Sequence, residues 1–388
     1  MDFALNDQQK ELRDAISKVC AKFDLAYWRE CDMNERYPEE FYREMVNGGW
    51  VGLTLPTEYG GAGLGITDAA LVMQTIVESG AGFTGASTIH SYVFAPNAIV
   101  VHGTPEQKKR MLTPLIKGEE RACFAITEPN SGLDTGRLRT RATREGDHYV
   151  MTGEKVWPTA ASMAQRMLVI ARTKPIEECE RPIDGLSLFY TYMDPEYVRT
   201  QKIPKLGRNA VESCQIFIDG LKVPEEDRIG EEGKGFYYLL DGLNPERILV
   251  AAEAVGLGRV SLQRATEYAK ERVIFDRPIG QNQGIQHPLA KCYMELEAAN
   301  LMMLKAATLY DAGEPCGAEA NSAKYLGAEA GYRACECAVM THGGYGYAKE
   351  FDVERYLREV MIPRLAPVSR ELVMCYIAER VLGLPKSY

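Results

Sequence analysis

Residues 241–258, DGLNPERILVAAEAVGLG, decide how the rest of the chain is read. Asn244 is a residue type whose side chain caps helix starts, and Pro245 follows it with φ already set for a first helical turn. The pattern predicts a helix that opens at Asn244. Beyond it Ile248, Val250, Ala251, Ala254, Val255, Leu257 and Gly258 form an apolar, small-residue surface that lets another element approach closely. The acid at the mouth of this helix is Glu246. A first-turn acid is ordinarily a charge favoured by the helix dipole and otherwise idle. The alternative is a catalytic base, and nothing within the stretch decides between the two.

Outward from this helix, three textures follow one another along the chain. In the first, Leu12, Ile16, Val19 and Phe23 recur at helical spacing with charges between them, and amphipathic helix is expected from Asn6 to about Gly48. The glycine-rich phrase at 55–65 interrupts it, and further helices are expected at 67–78, 95–101 and 105–119. Short runs bounded by turns then read as strands at 123–127, 147–151, 166–172, 186–192 and 214–223. No crossover helices intervene, so an antiparallel barrel or sandwich is expected. From about Glu232 the period returns to 3.6, with helices at 286–311, 319–340 and 371–382 after the one that carries Glu246. The fold class is therefore α+β: a helical domain over 1–121, a β domain over 122–231 and a four-helix-bundle domain over 232–388.

Composition limits the function. With 388 residues, 46% of them hydrophobic, the chain can bury several domain cores. A net charge of -9 argues against a nucleic-acid or anionic-membrane surface, and the short basic run at 108–110 reads as a solvated helix face. The ten Cys are scattered without CxxC pairs, which implies a reducing compartment. No apolar run approaches the roughly 20 residues of a membrane span, and MDFALNDQQKELRD has neither a signal-peptide core nor an Arg-rich transit pattern. A cytoplasmic protein is expected. The five His form no HExxH or comparable cluster, so no metal is expected.

Five stretches, taken together and in order, carry more than any of them alone: LPTEYGGAGLG (55–65), AITEPNSGLDTG (125–136), GEKVWPTAAS (153–162), ERVIFDRPIGQNQGIQ (271–286) and THGGYGYAKEFDVER (341–355). They resemble the acyl-CoA dehydrogenase family over essentially the whole chain. The resemblance implies FAD, an acyl-CoA substrate, an electron-transfer flavoprotein as electron acceptor and a homotetramer. It implies loss of an α-proton to a carboxylate and of a β-hydride to the flavin. It places Phe124, Ile126 and Thr127 in a flavin-cradling turn, Trp157 and Thr159 beside the flavin ring, and Arg272, Phe275 and Gln283 at its adenine and pyrophosphate end across a subunit boundary. Gly343 and Gly344 would let backbone approach the cofactor closely.

The chain also departs from the family pattern. Leu133 stands where relatives usually have a Ser that contacts flavin and acyl-CoA, and Met340 where they commonly have Gln. Pro367, after Ala366, occupies the position of the usual catalytic Glu, and no acid lies between Glu359 and Glu371. Proline also lacks the N–H that helps polarise the thioester carbonyl in relatives, unless Val368 supplies it. Some branches of the family carry the base at the position matched by Glu246, which makes Glu246 the expected base; Glu371, one turn past the usual site, is disfavoured. Asn244, Arg247, His90 and Tyr92 are expected near the same cavity. The lost bulk at Ala366 and Pro367 points to a branched, cyclic or otherwise bulky acyl group. Arg364 and Arg370 flank that segment as surface charges or as partners for a substrate carboxylate. Two alternatives stay open: elimination or desulfination of an acyl-CoA on the same flavin fold, and a non-catalytic acyl-CoA-binding subunit.

Overall fold

The computed structural model describes residues 4–387. Its first block contains α1 (Asp7–Cys20), α2 (Leu25–Met33), α3 (Glu39–Asn47), α4 (Ile66–Ile76), α5 (Gly82–Ala86), α6 (His90–Phe94), α7 (Asn97–His102) and α8 (Pro105–Ile116). Reciprocal capping boxes, Asn6 with Gln9 and Thr104 with Gln107, fix the starts of α1 and α8. The phrase at 55–65 folds back on itself so tightly that a Cβ on Gly61 would sit 2.1 Å from the Leu55 carbonyl oxygen.

The middle block is one sheet built from β1 (Ala122–Ala125), β2 (Arg141–Glu145), β3 (His148–Thr159), β4 (Arg166–Arg172), β5 (Leu186–Tyr192), β6 (Val198–Lys202), β7 (Ser213–Pro224) and β8 (Arg228–Ile229). Its order is β6-β7-β3-β2-β4-β5-β8, with β1 against β4. Pairing is antiparallel except that β1 and β2 each run parallel to β4. The continuous run RMLVIAR in β4 is explained by burial on both faces. Met167, Val169 and Ala171 join a core with Ile216 and Ile218, while Leu168 and Ile170 meet Leu112 and Ile116 of α8. The sequence reading had no strand at β2 or β6, because RATRE and VRTQK each bury only one side chain and carry no apolar alternation.

The last block contains α9 (Gly235–Glu271), a short hairpin of β9 (Val273–Ile274) and β10 (Arg277–Pro278), then α10 (Gln283–Asp311), α11 (Gly317–His342), α12 (Val353–Glu359), α13 (Ile362–Leu365) and α14 (Arg370–Tyr376). The three long helices pack on one another, and α4 from the first block lies against α9. A single apolar core therefore joins the two helical blocks, with Ile76, Val77 and Phe83 meeting Ile248, Leu249, Leu257 and Met303.

The expected start of the Glu246 helix is corrected. α9 begins at Gly235, so Asn244 and Pro245 lie inside it rather than at its mouth. A mid-helix proline leaves the carbonyl four residues earlier without its N–H partner. Here that carbonyl, on Asp241, accepts from Asn97 Nδ2 at 3.2 Å and from the Tyr310 hydroxyl at 3.4 Å. Partners from α7 and α10 replace the missing bond, and the helix runs on.

Candidate active site

Placing Glu246 about three turns into α9 removes the helix N-terminus from its surroundings. Its side chain is partly buried and makes no hydrogen bond among the described residues. Burial pushes its pKa up to about 7, against the pull of His90 and Arg247 and with the push of Glu253. Arg247 donates Nη1 to Asn244 Oδ1 at 3.2 Å, while its buried Nε has no hydrogen-bond partner among the described residues. His90, at the start of α6, reaches the same place from the first block and pairs through Nδ1 with Glu253 Oε1 at 2.6 Å. Glu253 and Arg208, whose charge His90 also feels, were not picked out from the sequence. An acid set in the run AAEAV was the one available signal for Glu253.

Tyr92 does not accompany His90. Two residues apart on one helix, their side chains point in nearly opposite directions, and Tyr92 is buried with its ring 6.3 Å from that of Tyr42. Arg364 and Arg370 are both engaged by Glu329, at 2.8 and 3.4 Å, and Glu371 pairs with Arg370 at 2.6 Å. The segment between them carries the exposed Ala366 and the partly buried Pro367. Lys324 of α11, fully buried, donates Nζ to the Val368 carbonyl. The Val368 N–H makes no hydrogen bond among the described residues.

A second set of residues lies at the edge of the β block. The ladder between β3 and β7 shifts register between Val156 and Thr159, and Trp157 there has φ +72° and is 54% exposed. Such a bulge re-aims a side chain out of the pleat. The Val156 N–H donates to the Thr127 carbonyl at 2.9 Å, which sets the end of β1 beside Trp157. The hydroxyls of Thr127 and Thr159 make no hydrogen bond among the described residues. An open indole with two free hydroxyls suits a planar, hydrogen-bonding ring system such as a flavin. The Phe124 ring itself turns inward and packs edge-on against Phe94 at 5.3 Å, and Ile126 packs beside it in the same core. Beneath this edge Lys155 Nζ donates to Glu128 at 2.9 Å and to the Ile126 carbonyl at 3.1 Å. Leu133, on the following turn, is exposed.

A third set gathers at the far end of α9. The Arg272 guanidinium sits 5.5 Å over the Tyr345 ring, beside Gly343 and Gly344. Gly343 has φ +61°, and a Cβ on either glycine would meet open space. Phe275 is 93% exposed in the turn between β9 and β10, and Gln283 opens α10 on the surface.

Three successive matches span most of the chain: "Acyl-CoA dehydrogenase, N-terminal domain" over residues 6–119, the corresponding middle domain over 123–221 and the C-terminal domain over 233–382. The chain is 36% identical to acyl-CoA dehydrogenase FadE12 of Mycobacterium tuberculosis, covering 100% of this chain and 99% of that protein. It is 35% identical to the 3-(aryl)acrylate reductase of Clostridium sporogenes, over 91% of this chain and 93% of that one. The solved butyryl-CoA dehydrogenase from Megasphaera elsdenii superposes with a TM-score of 0.93 at 30% identity, covering 98% of this chain and 100% of that chain. This chain belongs to the acyl-CoA dehydrogenase family of FAD-dependent oxidoreductases, which act on the CH–CH bond of acyl-CoA thioesters.

Proposed function

We propose that this enzyme dehydrogenates an acyl-CoA with Glu246 as the base that takes the α-proton. The supporting observation is a carboxylate that is partly withdrawn from water, without a hydrogen bond among the described residues and poised near neutrality. A general base works best with a pKa close to the working pH, and a base already saturated with hydrogen-bond donors has little proton affinity left. FAD, when bound, supplies the hydride acceptor. Trp157 would pack on its ring system, and Thr127 and Thr159 would offer it hydroxyls. Lys155 and Glu128 hold the backbone beneath that shelf.

The α-proton of a thioester becomes acidic enough only when its carbonyl is polarised by fixed donors. Pro367 provides none. The Val368 N–H takes that role in this reading, because it is free while Lys324 holds the carbonyl of the same residue. Asn244 orients Arg247 beside Glu246, and the small side chain of Ala366 with Pro367 leaves room for a branched, cyclic or otherwise bulky acyl group. Arg272, Phe275, Gln283, Gly343 and Gly344 face outward and serve the cofactor of a second copy, so the assembly is a homotetramer. An electron-transfer flavoprotein takes the electrons. The ten free thiols suit a cytoplasmic enzyme, and among the described residues no helix is long and apolar enough to cross a membrane.

Pro367 also favours a second reading, elimination or desulfination of an acyl-CoA, in which α-proton removal is not the demanding step. An anaerobic screen of straight, branched, cyclic and dicarboxylic acyl-CoAs separates the two. The first expects one of them to bleach the wild-type flavin and Glu246→Gln to slow that bleaching by at least about a hundredfold. Wild-type bleaching rates in Glu246→Gln would remove Glu246 from the role.

A further inference from the structure

Glu246 shares its face of α9 with a second acid. Glu253 lies seven residues further along, a spacing of about two turns that returns to the same side of the helix. Its carboxylate is 3% exposed and the paired His90 imidazole 19%. Glu246, Arg247 and Glu253 come from α9, His90 from α6, and Arg208 from the loop after β6. Among the described residues these charged groups act on Glu246 and His90, while Tyr376 and Cys316 face Arg247 and Lys205 faces Arg208. Arg208 donates to Ser87 Oγ at 2.8 Å. Behind it Glu359 of α12 faces Arg208, and Lys324 of α11 faces Arg247.

A carboxylate in an apolar pocket stays ionised only with a cation near it. Arg247 is one such cation on Glu246, and His90 is the other. A lone imidazole in this place would lose its proton, since burial disfavours the charged form. The Glu253 carboxylate at 2.6 Å outweighs that effect and holds the pKa of the ring above the ordinary value, which favours its charged form. It also fixes Nδ1 and with it the orientation of the ring.

We propose that the His90–Glu253 ion pair is a positioning device that keeps Glu246 in its ionised, proton-accepting form. The proposal rests on the reading of Glu246 as base. The pair touches no reacting atom and acts through the charge of His90 on its neighbour.

The test uses the full-length, FAD-loaded protein and the first of butyryl-, isovaleryl- and glutaryl-CoA that bleaches the wild-type flavin, with flavin reduction followed against pH. His90→Gln deletes the cation and leaves Glu253 behind. The midpoint of the pH profile should rise by about one unit, with about tenfold slower reduction at low pH and an unchanged plateau at high pH. The double variant His90→Gln/Glu253→Gln removes both charges and should bring the midpoint only part of the way back, still above wild type, because His90 outweighs Glu253 at Glu246; a full return would show that the pair as a unit does nothing for Glu246. A substrate-free readout comes from thermal unfolding relative to Glu246→Gln. Because the folded-state pKa of Glu246 lies above its unfolded value, this group loses stability as pH rises, and the loss levels off at the folded pKa. That levelling point should move up in His90→Gln as well. Should His90→Gln fail to fold or to load FAD, His90→Asn makes the same comparison.

A midpoint and a levelling point both unchanged in the His90 variant, with only a lower plateau, would overturn the proposal and leave His90 a packing residue. Loss of bleaching in Glu246→Gln alongside that result would defeat the ion-pair role alone. Full bleaching in Glu246→Gln would defeat the base itself.

Discussion

Glu128 in the β block is buried and Glu246 in the helical bundle is partly buried, and their surroundings push them in opposite directions. Glu128 accepts the backbone N–H groups of Arg139 at 2.6 Å and Thr140 at 2.9 Å and the Lys155 ammonium at 2.9 Å. Burial alone would raise its pKa, but Lys155 and these donors hold it below the usual carboxylate range. Glu246 feels two cations, His90 and Arg247, and makes no hydrogen bond among the described residues, and burial carries it up to about 7. Saturating a buried carboxylate with donors makes it scaffold. Leaving its oxygens unsatisfied keeps it able to take a proton.

The largest test of this contrast is chemical. Glu246→Gln should slow anaerobic flavin reduction by about 10²- to 10⁴-fold, the range for loss of a general base, with the flavin spectrum of the oxidised protein unchanged. Next comes stability: Lys155→Met strands Glu128 as an uncompensated buried charge and should cost about 3–5 kcal/mol, read as a lowered unfolding midpoint. A variant as stable as wild type would mean that Glu128 is no more scaffold than Glu246 is. Lys324→Met removes a charged donor from the Val368 carbonyl and should cost about 1.5–3 kcal/mol, appearing in kcat/KM as the loop at 366–369 loosens. The gentlest perturbation is pH. Because the working form of Glu246 is the carboxylate, flavin reduction should rise with pH, level off above about 7, and fall about tenfold per unit below it. A flat profile over that range would place Glu246 with Glu128 as a permanently ionised group.

The strands that bury both faces or alternate, β4, β5 and β7, were legible because apolar periodicity writes burial into the local sequence. β2 and β6 were not, since most of their side chains face water. The reading of Asn244 and Pro245 as a helix start followed sound local rules and failed on long-range partners: Asn97 and Tyr310 satisfy the carbonyl that a proline should have stranded. The site divides in the same way. Trp157, exposed at its bulge, and the partly buried Thr127 and Thr159 belong to short stretches that the family resemblance singled out. Glu253, Arg208 and Lys324 act only through side chains contributed from other parts of the chain.

By itself, then, the sequence determined the order of helical, β and helical blocks, the motifs of the flavin-dependent family and, through the acid missing at Pro367, the attention due to Glu246. Tertiary structure alone decided what kind of acid Glu246 is. Its acidity depends on burial and on charges brought from afar, and the His90–Glu253 pair spans 163 residues of chain. Helical and strand patterns are set by neighbours a few residues apart, whereas burial of a side chain and the charge balance around it exist only once distant segments have packed.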